Sequence, residues 1–161
     1  MPNPKIAVVL TEPLTTADTP SALLVALRAA VRRDQDAEAQ FEEARTERDA
    51  WLRAGRHTEP KKLTWPVMMQ AAGLSRKALG DVLKSEGPAA PSTDSATVLE
   101  SIADTSAAFW SAKERKAGIR AERNEHVRRA YMGDVPVSDL TKILECVDIY
   151  VYDILHHRRT K

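Results

Sequence analysis

Apolar residues recur at helical spacing through most of this chain. Stepping alternately by four and three from Leu23 gives Leu27, Ala30, Asp34, Ala37, Phe41, Ala44, Arg48 and Trp51. Seven of these nine positions are apolar or alanine, a heptad-like stripe with two polar interruptions. The span that carries it, Thr19 to Gly55, is rich in Ala, Leu, Arg and Glu, with its one proline, Pro20, at the very start and no glycine inside. That composition predicts one long helix. A second long helix is expected from about Ala96 to Met132, where the single glycine is Gly118 and the apolar series is Val98, Ile102, Phe109, Ala112, Ile119, Val127 and Ala130. Each long segment is followed by two short helical stretches. In the last of them, "VDIYVYDIL", the alternation also fits a strand, and period alone does not decide.

The remaining segments are punctuation. Residues 1–18 hold three prolines and a brief "KIAVVL" with no partner strand, an extended or mobile arm. "GPAAPSTDS", residues 87–95, reads as a linker from its Pro, Gly and Ser content. The expected organisation is therefore an arm (1–18), a long helix with a first short pair (19–86), the linker, and a long helix with a second short pair and a basic tail (96–161). The fold class is all-α, the two long helices packing as a bundle or stalk.

The two halves can be laid on one another. "ARTERDAWLRAG" at 44–55 aligns with "IRAERNEHVRRA" at 119–130, and "MMQAAGLSRKALGDVLK" at 68–84 with "LTKILECVDIYVYDILH" at 140–156. The offsets are 75 and 72, and the difference falls in the loop between long and short helices, where length costs little. An internal duplication is the expectation.

The first short pair has the chemistry of a tight helical corner. Thr64 can cap a helix with Trp65 and Pro66 in its first turn. Met68, Met69 and Ala72 face inward, Gly73 supplies the positive φ that ends the helix, and Leu74 fills the corner. Ser75 caps a second helix from Arg76 to about Lys84. It points Leu79, Val82 and Leu83 at the core and Ser75, Arg76, Lys77, Gly80, Asp81 and Lys84 outward. Over residues 63–85 this stretch resembles the helix-turn-helix family of DNA-binding domains. The resemblance lies in glycine at the turn, an apolar residue after it, a serine cap, and apolar positions six and nine residues past the glycine. "AGLSR" is a frequent wording of that turn in bacterial regulators, although Met69 stands where the family usually has alanine. The resemblance implies that the helix from Arg76 to Lys84 enters the major groove of double-stranded DNA.

The side chains suit that role on their own terms. Arg76 can make a bidentate contact with guanine, and Lys77 can reach a guanine or a phosphate. Ser75 and the free N–H groups of the helix start suit a phosphate oxygen, and Lys61 and Lys62 are phosphate clamps. Thr64 joins the expected DNA-contact set. Gly80, costly inside a helix, suggests close approach of DNA to the backbone. The second pair lacks these cations: Val147, Asp148, Ile149 and Tyr152 replace Ser75, Arg76, Lys77 and Gly80. Residues 133–154 hold five acids and one lysine. Ile149, Tyr150 and Tyr152 there suggest a protein contact or simple core. Residues 109–132 carry seven cations against three acids, so Lys113, Lys116, Arg120, Arg128 and Arg129 could extend a phosphate track or form a solvated helix face.

Global charge adds little, because the 161 residues carry a net +1. The lone cysteine, Cys146, leaves no internal disulfide or cysteine-based zinc site. The run "IAVVL" is short for a signal-peptide core, and no stretch approaches the roughly 20 apolar residues that span a bilayer. No Gly-rich phosphate loop, HExxH pair or nucleophile elbow is present. His57, His126, His156 and His157 lack metal-site spacing. The expectation is a cytoplasmic, nucleoid-associated DNA-binding regulator or repressor. It is not an enzyme, has no cofactor, metal or membrane partner, and could dimerise through the long helices or the second pair. A coiled-coil interaction or scaffold module without DNA contact, and an accessory protein of DNA partition or recombination, fit the same residues.

Overall fold

The computed structural model describes residues 6–156, and among them the chain is all-helical. The helices are α1 (Pro20–Ala54), α2 (Trp65–Ala72), α3 (Arg76–Lys84), α4 (Ser95–Met132), α5 (Val137–Leu144) and α6 (Asp148–Leu155), with a 3-10 turn at Gly55–His57. The alternating "VDIYVYDIL" segment is helix, because Val151, Ile154 and Leu155 are buried together at helical spacing. None of these helices is long and apolar enough to cross a membrane.

The chain forms two compact units, Ala37–Lys116 and Met1–Asp36 with Ala117–Lys161. This division cuts through both long helices instead of falling at residues 87–95. The physical reason is antiparallel pairing: each unit takes one half of α1 and the facing half of α4. The expected linker belongs to the first of these units. Its backbone is pinned by Ala90 N–H to the Ala50 carbonyl at 3.0 Å and by Glu59 N–H to the Thr93 carbonyl at 2.7 Å.

In the unit Ala37–Lys116, Lys116 pairs with Glu38 at 2.6 Å, and Phe41 meets Phe109 with ring centroids 5.3 Å apart. Leu52, Met68, Ala72, Leu79, Val98 and Ile102 form the core that joins α1, α2, α3 and α4. Each fully buried Leu there contributes about 1.5–3 kcal/mol relative to exposure. Arg53, in the last turn of α1, and Arg56, in the 3-10 turn after it, hold the far end of α3: Arg53 donates to Ser85 Oγ at 2.8 Å, and Arg56 to the Leu83 carbonyl at 3.3 Å.

In the other unit Leu23 and Leu27 of α1, Val127 and Ala130 of α4, Leu140 of α5, and Val151, Ile154 and Leu155 of α6 make the core. The arm, from Ile6 onwards, is non-helical as expected, but it is tied to α4. Ile6 N–H donates to Tyr131 Oη at 3.1 Å, Thr11 N–H to Glu125 Oε1 at 2.9 Å, and Arg129 pairs with Asp18 at 2.9 Å. Residues 1–5 and the basic tail at 157–161 lie outside the described residues.

The stripe read from the sequence is the inward face of α1. Its two polar interruptions are buried as well, Asp34 at 6% and Arg48 at 5% exposure. Asp34 accepts from Arg123 at 2.6 Å, and Arg48 donates to Asp49 with its guanidinium 3.8 Å from the Phe109 ring centre.

Candidate nucleic-acid interface

The α2–α3 corner forms for the reasons its residues suggest. Gly73 closes α2 in the left-handed region, at φ 63° and ψ 32°, where a side chain is disfavoured. Trp110 of α4 covers this turn, its indole N–H donating to the Ala72 carbonyl at 3.1 Å. Ser75 has extended backbone and its Oγ accepts from Ala78 N–H at 3.2 Å, an N-cap as expected. Thr64 occupies the N-cap position of α2, but its side chain makes no capping bond. Only its carbonyl is used, by Met68 N–H at 3.1 Å.

With Leu79 fully buried, α3 has a fixed orientation that leaves Ser75, Arg76, Lys77, Asp81 and Lys84 exposed. Lys61, Lys62 and Thr64 are exposed on the segment leading into α2. Gly80 differs from expectation. It is buried beneath Trp65, and a Cβ built there would lie 3.5 Å from the indole ring. The close approach that the mid-helix glycine permits is therefore an intramolecular one. Trp65, which sequence reasoning placed only in the first turn of α2, is a wall of the candidate site. The signal that could have found it is Gly80 itself.

Trp65, Arg76, Lys77, Gly80, Asp81 and Lys84 line an open groove of about 480 Å³. Arg76 reaches along it, its guanidinium carbon 5.9 Å from the centre of the Trp65 ring, within cation–π range. Three cations and one acid thus share the groove, with an apolar wall that is 40% exposed. Such a surface attracts a polyanion at its edges and offers base-sized apolar contact between them.

The cations expected to extend a phosphate track along α4 are mostly engaged. Lys116 pairs with Glu38, Arg120 lies 3.4 Å from Asp34, Arg128 pairs with Glu125 at 3.1 Å, and Arg129 with Asp18. Lys113 is exposed above the Trp110 ring at 4.7 Å. Lys116 and Arg120 reach acids on α1, Arg128 an acid one turn back on α4 itself, and Arg129 an acid of the arm, so none of the four is left to solvent alone.

The two helices of the second short pair start at one constant offset from those of the first. Val137 and Asp148 open α5 and α6, each 72 residues after Trp65 and Arg76, which open α2 and α3. Glu145 adopts φ 51° and ψ 41° at the position matching Gly73. Val147 and Ile149 are 68% and 73% exposed and Tyr152 is also exposed, with acids Glu145 and Asp148 beside them. Tyr150 is not part of that surface: it is half-buried, and its hydroxyl accepts from Arg123 at 2.8 Å. Burial pushes the Cys146 thiol above its usual range, so it stays protonated. Among the described residues no group of His, Cys, Asp and Glu is arranged to hold a metal ion.

Comparison with protein-family models, with curated proteins and with solved structures finds no match to this chain.

Proposed function

We propose that this chain is a double-stranded-DNA-binding protein, a small transcriptional regulator or repressor, with α2–α3 acting as a helix-turn-helix. The single observation that carries this reading is the first turn of α3. Ser75, Arg76 and Lys77 stand uncovered at a helix start whose opposite face is locked by a fully buried Leu79. Free N–H groups, a bidentate donor and a second cation converge there, the set that a phosphate and a guanine edge require. In this reading the second pair is a degenerate copy from an internal duplication. It has lost its cations, and its exposed Val147, Ile149 and Tyr152 face a protein instead. The protein acts at the nucleoid.

The test is binding to mixed genomic duplex fragments at increasing salt. If Lys61, Lys62, Lys77 and Lys84 each meet a phosphate, affinity falls roughly hundredfold between 50 and 200 mM salt. A Ser75/Arg76/Lys77 triple alanine variant that keeps its helicity loses most of this binding. Unchanged binding by that variant discards the site.

A further inference from the structure

Phosphate binding needs cations alone, yet the α3 groove has an aromatic wall, a glycine floor and a carboxylate. Asp81 repels a phosphate and suits the amino group of a cytosine, so the centre of the groove fits base edges better than backbone. Arg76, leaning across the Trp65 ring, presents its fork beside an exposed apolar surface. On the major-groove edge of a duplex the apolar group is the thymine 5-methyl. We propose that Trp65 and Gly80 form a thymine-methyl subsite next to a guanine held by Arg76, so that the protein reads a thymine adjacent to a guanine. This proposal rests on the DNA reading above and adds to it a recognised base.

Gly80 lies against Trp65 at the base of the groove and leaves it one methyl deeper than alanine would. A methyl added at Gly80 would meet Trp65 at 3.5 Å, an ordinary contact that displaces nothing but raises the floor. That substitution probes recognition and not folding, because alanine is the better helix former and the added methyl makes only an ordinary contact.

The experiment uses the full chain and duplexes enriched by the wild type from a randomised pool. Each thymine of the enriched sequence is then replaced by uracil, which deletes the methyl and keeps the pairing. One replacement, beside a guanine, is expected to weaken wild-type binding about fourfold, the worth of one buried methyl. Gly80→Ala melts higher than the wild type and binds the thymine and uracil duplexes alike. Trp65→Phe keeps an aromatic wall and retains part of the discrimination. Wild-type protein indifferent to every replacement, or a Gly80→Ala variant as discriminating as the wild type, overturns the subsite while leaving DNA binding intact. A pool with no enriched sequence removes the sequence-reading function, and the subsite with it.

Discussion

Arg48 and Arg123 make the same hydrogen bonds at matching places on the two long helices. Each donates from Nε and Nη2 to one side-chain oxygen of the next residue. Arg48 reaches Asp49 Oδ1 at 2.9 and 2.6 Å, and Arg123 reaches Asn124 Oδ1 at 3.2 and 2.8 Å. Both are buried, and each guanidinium lies near an aromatic ring, Phe109 at 3.8 Å and Tyr150 at 5.8 Å. The parallel extends to the backbone, where Leu63 N–H donates to the Gly55 carbonyl and Val135 N–H to the Ala130 carbonyl. One difference has energetic weight. Asp49 neutralises Arg48 from the adjoining position, whereas Asn124 carries no charge, so Arg123 depends on Asp34 of α1 at 2.6 Å.

Arg123→Met therefore leaves the Asp34 carboxylate buried with only Arg120 near it. The expected loss is about 3 kcal/mol, the lower end for breaking a buried pair, because Arg120 keeps partial compensation. Asp34→Leu combined with Arg123→Met recovers most of that loss, since two packed apolar side chains replace two desolvated charges. Urea unfolding of the wild type and the two variants measures this. A double variant no more stable than Arg123→Met alone contradicts the account.

Gly73 and Glu145 should respond in opposite directions to exchange. Gly73→Ala places a Cβ in the left-handed region and 3.3 Å from the Trp110 indole nitrogen, so it destabilises by about 1–2 kcal/mol. Glu145→Gly relieves the same backbone penalty where the chain already bears it, and after the extra chain entropy of glycine it stabilises by about 0.5 kcal/mol. Thermal melting of the two variants checks both signs.

The elements were legible because local chemistry and burial agree. The expected helix from Arg76 to Lys84 coincides with α3, and Thr19 to Gly55 brackets α1. Ser75 and Gly73 do what their side chains or lack of one permit anywhere. Partners supplied by distant segments were illegible. Asp34 and Arg48 look like flaws in an apolar stripe until Arg123 and Phe109 are placed opposite them. Arg128 and Arg129 look free until the arm, Glu125 and the Ile154 carbonyl are brought to them. Gly80 signalled a close neighbour, and the sequence could not show that the neighbour was Trp65.

Trp110 ties the α2–α3 turn to α4 through one hydrogen bond. Trp110→Phe retains the ring over Gly73 and deletes the N–H, leaving the Ala72 carbonyl without that donor. The expected cost is about 1 kcal/mol, concentrated at the turn. Hydrogen exchange at the Gly73 and Leu74 amides, which both donate to the Met69 carbonyl, should accelerate more than exchange elsewhere in α2 and α3. Uniform acceleration across the chain would instead make Trp110 a general core residue.

Acid should weaken the fold in two separable steps, and His126 governs the upper one. This residue, on α4, lines the cleft of about 860 Å³ that also contacts Thr11, Asp18 and Leu23. Burial is the main influence on its imidazole and lowers the pKa. Arg33 and Arg129 act in the same direction, and Glu122 and Glu125 oppose them. The folded pKa then lies below the unfolded one, so the unfolded chain takes up the proton first. The stability linked to His126 is complete above the ordinary histidine range and declines as pH falls through it toward the lower folded value. Asp18 and Asp94 stay ionised over that interval. Asp18 is held below the usual carboxylate range by Thr15 N–H and then by Arg129, and Asp94 by Thr97 N–H at the start of α4. Their contributions disappear only in stronger acid, as pH falls from the ordinary carboxylate range through their lowered folded values. Unfolding free energy measured from neutral to strongly acid pH should show both declines. His126→Gln should remove the upper decline and leave the lower, whereas an unaltered profile would assign the upper step to another group.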